Sequence, residues 1–158
     1  MTAKLHCFGE SGNAYKAALT LTLADFDWEP VFVDFFNGAT RTPEFRAVNQ
    51  MGEVPVLVDG DLVLTQSGVI QDYVSSKSGK LGGRSAAERR DVLRWLFWDN
   101  HKLSGVAGMT RFLMNFLDPA RRPAEVIAFQ QARLKGTYAI LDAHLSDRRW
   151  MVGDQVTI

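Results

Sequence analysis

The chain has almost nothing with which to cross-link itself: Cys7 is the single cysteine in 158 residues. One thiol excludes an internal disulfide and a cysteine-built metal site, and the expected home is a reducing compartment, the cytoplasm. Charge of one sign is also missing. The 18 Lys and Arg balance the 18 Asp and Glu, which argues against a nucleic-acid partner on bulk electrostatics. His6, His101 and His144 show no metal-ligand spacing, so no metal is expected. No apolar run approaches the roughly 18 residues of a spanning helix, so no membrane partner is expected. The N-terminus lacks the apolar region of a signal peptide. Repeats and low-complexity tracts are absent too. What remains is ordinary globular composition, 46% apolar and 23% charged, enough for one domain or two small ones.

The first half alternates strand and helix signals. Residues 4–8 read as a strand, and Ser11 or Asn13 then caps a helix reaching about Phe26. Ala14, Ala17, Ala18 and Leu21 form one apolar face of that helix, and Leu19, Leu23 and Phe26 a second, which predicts burial on two sides. Residues 29–34 form the next strand, with Val31 and Val33 on one face and Phe32 on the other. Strand, helix and strand of this size favour a parallel pair with a right-handed crossover. Residues 35–41 are a loop; Thr42 and Pro43 then start a short helix. Residues 54–58 and 62–65 are strands joined by the turn Asp59-Gly60-Asp61, and a helix follows from Ser67 to about Ser76, with Ile70, Tyr73 and Val74 as its buried stripe.

Residues 77–84 are polar and glycine-rich, and are expected to link domains at 1–76 and 85–158. Beyond them strand signals stop. Ser85-Ala86-Ala87-Glu88 is a capping box. It opens a helical stretch to about Leu117, broken near Gly105 and Gly108. Trp95, Trp98, Met109, Phe112 and Phe116 along it read as packing residues, with Asp99, Asn100 and His101 as polar candidates for a substrate contact. A second helix covers 124–145, with Ile127, Leu134, Tyr138, Leu141 and Leu145 on one stripe. Val156 and Thr157 look like the staple and N-cap of another helix.

The pair Gln66-Ser67, at the junction of a strand and a helix, carries the most information. A helix N-terminus offers unpaired N–H groups and partial positive charge, so it holds a carboxylate well. Val54-Pro55-Val56-Leu57, a hairpin, Leu64-Thr65-Gln66-Ser67 and a helix together resemble the glutathione-binding half of the glutathione S-transferase family. The likeness spans residues 3–158 and is strongest over 48–74. It implies a thioredoxin-like β-α-β-α-β-β-α domain followed by an all-helical domain, here incomplete at its C-terminal end. It also implies glutathione as cosubstrate, a small electrophile or disulfide as second substrate, and a homodimer.

The same resemblance assigns roles. Gln66 and Ser67 would grip the γ-glutamyl end. Val54, before a Pro55 that is cis in the family, would pair its backbone with the cysteinyl part. Arg41 would meet the glycyl carboxylate, or else be an exposed surface arginine. Ser11, in the turn before the first helix, would donate a hydrogen bond to the glutathione sulfur, or merely cap the helix. Asn13 is a second candidate there, resembling relatives that reduce small disulfides; it too is suited to capping. Glu53 and Gln50 depart from the family pattern. With Glu10, Glu53 adds negative charge beside an anionic ligand, which would weaken binding and oppose thiolate formation. Cys7 reads as a buried structural thiol. The implied function is glutathione transfer; disulfide reduction and non-catalytic binding on the same fold are the alternatives.

Overall fold

The computed structural model describes residues 2–158, which divide into two compact units, residues 2–82 with Ile158 and residues 83–157. In the first, β1 (Ala3–Cys7), α1 (Gly12–Leu23), β2 (Trp28–Phe32), α2 (Pro43–Val48), β3 (Val56–Asp59), β4 (Leu62–Thr65) and α3 (Ser67–Ser78) follow in the thioredoxin-like order. The sheet runs β2-β1-β3-β4. β1 is parallel to β2, with Ala3 opposite Trp28, and antiparallel to β3, with His6 opposite Val56; β3 and β4 form a hairpin in which Val56 faces Thr65. Ala3 and Leu5 of β1, Ala17 and Leu21 of α1, Leu57 of β3, and Ile70 and Val74 of α3 make one continuous core.

Helix α1 ends three residues before the expected Phe26. Asp25 adopts φ 53°, Asp25 N donates to Thr22 O and Phe26 N to Leu21 O, the paired bonds of a Schellman stop. Phe26 therefore leaves the helix and packs against the core. The second apolar face is not buried as expected, because Leu19 and Leu23 are exposed. β1 and β2 each begin one residue earlier than the sequence suggests, and β3 begins at Val56, after a cis Val54–Pro55 bond.

The second unit contains α4 (Ala86–Trp98), a π-helical turn (Asp99–Ser104), α5 (Gly105–Asn115) and α6 (Ala124–Leu145). Ser85 caps α4, its Oγ accepting from Glu88 N at 3.1 Å, while the Glu88 carboxylate accepts from Arg84 N rather than completing the box at Ser85. The expected break before α5 takes the form of the π turn. Ser104 Oγ donates to both Asp99 oxygens at 2.9 and 2.8 Å, and a Cβ on Gly105 would stand 3.2 Å from Asn100 O, a crowding that glycine avoids. Met109, Phe112 and Phe116 are exposed, and the Phe112 and Phe116 rings lie 6.4 Å apart. On α6 the inner stripe is rotated from the expected one. Thr137 is buried between half-buried Leu134 and Leu141, whereas Tyr138 and Leu145 are exposed. Residues 156–158 form no helix.

Candidate glutathione site

Strand topology decides which loops meet. β1 and β2 run parallel, so the segments after Cys7 and Phe32 leave the sheet at the same end. β3 is antiparallel to β1 and β4 to β3, so the segment entering β3 and the segment leaving β4 lie at that end too. The loop with Ser11 and Asn13, the turn before Val54-Pro55, the Gln66-Ser67 junction and the segment with Arg41 therefore gather at one edge. The carboxyl ends of parallel strands are where ligands bind in open α/β sheets.

Ser11 is the N-cap of α1. Its Oγ accepts from Ala14 N at 3.2 Å, and its own N–H donates to Phe8 O at 3.1 Å, closing the loop. Capping uses a lone pair and leaves the hydroxyl proton free to donate elsewhere, so the two roles open in the sequence are compatible. Gly9 and Gly12 flank open space: a Cβ on either would touch nothing within 4 Å. Asn13 is exposed in the first turn of α1. Cys7, just below, has its thiol pushed up by burial, with a backbone contact to Val31 opposing. A raised pKa leaves little thiolate, so this thiol is poorly suited to be a nucleophile.

The second cluster is built around a tight turn. Buried Asn49 holds both ends of it: Nδ2 donates to Glu53 O at 2.8 Å and Oδ1 accepts from Met51 N at 3.1 Å. Gly52 sits at φ 67°, where a Cβ would press to 2.9 Å from Thr40 O and 3.0 Å from the Arg46 guanidinium. This packing sets the turn against the 3₁₀ turn Ala39–Arg41, at whose end Arg41 is exposed. Val54 follows, half-buried and outside both β3 ladders, and Pro55 is buried.

Gln66 has φ 68° and ψ 121°, unusual for a residue with a side chain. Such a conformation costs about 1–3 kcal/mol and persists only where the surroundings impose it. Here Gln66 Nε2 donates to Glu53 Oε2 at 3.2 Å and to Met51 Sδ at 3.3 Å. Ser67 opens α3 at 6% exposure, no side chain caps that helix, and the first intrahelical bond runs from Ile70 N to Gln66 O. The amides of the first turn thus have no capping side chain.

Of the expected residues, the structure brings Glu53 and Gln66 into contact, with Val54, Pro55 and Ser67 beside them in the chain. Arg41 is exposed and follows Thr40, whose carbonyl lies close to Gly52 of the turn. Ser11 and Asn13 share the sheet edge on a separate loop. The sequence reading did not single out Asn49 as the organiser of the turn, although the spacing Asn49-x-x-Gly52 is a turn signal. Nor did it single out the aromatic cluster of Phe8, Phe35 and Phe36. Phe8 stacks on Phe35 at 4.6 Å, and Phe36 meets both edge-on at 5.7 and 5.5 Å. Among the described residues no group of His, Cys, Asp or Glu is placed to hold a metal, and no helix is long and apolar enough to cross a membrane.

A thioredoxin-like α/β unit with a cis proline beside a helix N-terminus, followed by a helical unit, defines the class of protein. Comparison with known proteins supplies the family. The model described as "Glutathione S-transferase, N-terminal domain" matches residues 1–76. Glutathione S-transferase 3 of Zea mays is 31% identical over 162 residues, covering 98% of this chain and 72% of the maize protein. Disulfide-bond oxidoreductase YfcG of Escherichia coli is 27% identical over 158 residues, covering 96% of this chain and 73% of its own. A crystal structure of a possible glutathione S-transferase from Rhodopseudomonas palustris superimposes with a TM-score of 0.91 at 28% identity, over 99% of this chain and 71% of that one. The chain belongs to the glutathione S-transferase family.

Proposed function

We propose that this protein is a glutathione transferase, with Ser11 stabilising the thiolate of bound glutathione for attack on a small electrophile. The gathering of Ser11, Val54-Pro55 and Gln66-Ser67 at one sheet edge, in a chain of this family, carries the reading. Ser67 and the α3 N-terminus take the γ-glutamyl carboxylate, the Val54 backbone pairs with the cysteinyl part, and Arg41 takes the glycyl carboxylate. An ordinary thiol has a pKa of about 8.5, so little is ionised at neutral pH. Lowering it by about two units requires roughly 2.7 kcal/mol. A hydrogen bond to a charged group supplies about 1.5–3 kcal/mol, and a helix N-terminus up to about 2 kcal/mol. The thiol proton passes to solvent, the sulfur forms a bond to the electrophilic carbon, and the leaving group departs with the electron pair. No metal enters this scheme, and the protein is read as a cytoplasmic homodimer.

A second reading is glutathione-dependent disulfide reduction. It is supported by the exposed Asn13 two residues after Ser11 and by the likeness to a relative named as a disulfide-bond oxidoreductase. Turnover of an aromatic halide against a small disulfide separates the two. Calorimetry tests the site they share: Ser67→Ala is expected to weaken glutathione binding by about 1–3 kcal/mol, the cost of a lost charge-assisted hydrogen bond. Unchanged affinity removes Ser67 from the site.

A further inference from the structure

Helices α1 and α3 both begin at the edge where the candidate site gathers, α1 behind its cap Ser11 and α3 at Ser67. Inside the unit they contribute Ala17, Leu21, Ile70 and Val74 to one aliphatic core. Aliphatic attraction is non-directional, so it sets the axial register of two helices weakly. A directional contact lies buried beside it. Gln71 of α3 donates from Nε2 to Thr20 Oγ1 of α1 at 3.2 Å, and Thr20 Oγ1 donates its own proton to Lys16 O at 2.9 Å. Thr20 is 4% exposed and Gln71 7%. The other end of the Gln71 amide, Oε1, is buried and meets no donor among the described residues. A buried amide that the protein pairs at one end only is costly, and a leucine would fill this position at less cost. Core stability therefore does not account for Gln71. Register does: a buried polar pair is satisfied in one alignment of its two helices and broken when they slide.

We propose that Gln71, acting through Thr20, is a positioning residue for the thiolate chemistry. It fixes α1 against α3 and so sets where the Ser11 hydroxyl stands relative to glutathione bound at the same edge. This rests on the reading of Ser11 as the thiolate contact. Ser11 lies nine residues before Thr20 on one continuous helix, about 13 Å along its axis, so the two move together. A misplacement of about 1 Å at the reacting atoms is enough to cost about 100-fold in rate.

The test compares Gln71→Leu, Thr20→Val, Thr20→Ser and the double variant Gln71→Leu with Thr20→Val, all in the full chain. The pKa of bound glutathione is read from thiolate absorbance against pH. Affinity is read by calorimetry at a pH where the thiol is neutral. Gln71→Leu and Thr20→Val are each expected to raise the bound thiol pKa by about one unit, a tenfold loss of thiolate stabilisation, while affinity for the neutral thiol stays within about twofold of wild type. The double variant is expected to match either single one, because all three lack the same bond. Thr20→Ser keeps the hydroxyl and is expected to titrate as wild type does. An unmoved pKa in Gln71→Leu overturns the proposal, whatever happens to stability. So do single effects that add in the double variant, and so does a Thr20→Ser variant that follows Thr20→Val. Should Gln71→Leu fail to fold, the contrast between Thr20→Val and Thr20→Ser decides alone: a pKa raised only in the valine variant supports the proposal, and equal pKa values overturn it. A wild type that binds glutathione without lowering its thiol pKa overturns the Ser11 reading as well.

Discussion

The two units of this chain differ in how far each buries its own apolar residues. The largest fully buried side chains, Leu5, Leu21, Leu57, Ile70, Val56 and Val74, all belong to residues 2–82. Residues 83–157 bury Val92, Val106 and Val152, while Phe97, Phe129 and Ile140 are exposed. The sheet explains the contrast. Ala3 and Leu5 of β1 and Leu57 of β3 pack with residues of α1 and α3, so each apolar residue finds neighbours from several elements. A pair of helices such as α5 and α6 offers each other one stripe apiece. Local periodicity therefore predicts the central core of the first unit, though not the second face of α1, where Leu19 and Leu23 are exposed. In the second it predicts helices but not which face of them is covered.

The largest expected effect tests that contrast directly. Leu57→Ala removes a side chain from the centre of the first core and is expected to cost about 2–5 kcal/mol. Leu134→Ala on half-buried α6 is expected to cost less than about 2 kcal/mol, since part of its surface is already in water. Urea unfolding of the two variants of the full chain checks it, and equal losses would break the comparison.

A middle-sized effect concerns ion pairs. Asp59, at the end of β3, receives Lys77 Nζ at 2.5 Å and Tyr73 OH at 2.7 Å, both from α3, and its side chain is 11% exposed. The hydrogen bond from Lys77 chiefly holds its carboxyl below the usual range, Tyr73 adds to this, and burial opposes it. A depressed folded pKa contributes stability above the unfolded value of about 3.9, and that stability is lost as pH falls through the folded value. Asp59→Asn is expected to cost about 1–2 kcal/mol at neutral pH and to flatten the acid limb of stability against pH, since the variant has no carboxyl there to protonate. The Arg94–Asp91 pair of the second unit is about half exposed on both sides, and Asp91→Asn is expected to cost under about 0.5 kcal/mol. Unfolding midpoints from neutral pH to about pH 3 compare the two; a steeper acid limb in Asp59→Asn would reverse the assignment.

Much of the fold was legible because its signals are local. The capping serines, the Pro43 helix start, the Asp59-Gly60-Asp61 hairpin and the strand before Gln66-Ser67 are each written within a few residues. The helix end at Asp25 was not, because an aspartate there does the work usually given to glycine. The π turn depends on the Asp99–Ser104 bond, a spacing of five that no 3.6-residue pattern displays. In the site, the strand-to-helix junction was legible. The Glu53–Gln66 contact joins residues 13 apart and depends on the β3–β4 register and on Asn49 shaping the turn.

The smallest stability effect gives the sharpest comparison. Ser11 and Ser85 do the same structural work, each accepting a first-turn N–H, from Ala14 at 3.2 Å and from Glu88 at 3.1 Å. Alanine at either position is expected to cost about 1 kcal/mol. Only Ser11 stands at the sheet edge with the Val54-Pro55 turn, with its hydroxyl proton left over after capping. If that proton is donated to the glutathione sulfur, Ser11→Ala removes about 1.5–3 kcal/mol from the thiolate and raises the bound thiol pKa by about 1–2 units. Affinity changes little below that pKa, where the thiol is neutral, and turnover near neutral pH falls. Ser85→Ala leaves the titration untouched at the same cost in stability. Thiolate absorbance against pH in the presence of glutathione reads the difference. Matching curves for Ser11→Ala and wild type would make Ser11 a cap and nothing more, as Ser85 is, and would move the thiolate contact to Asn13.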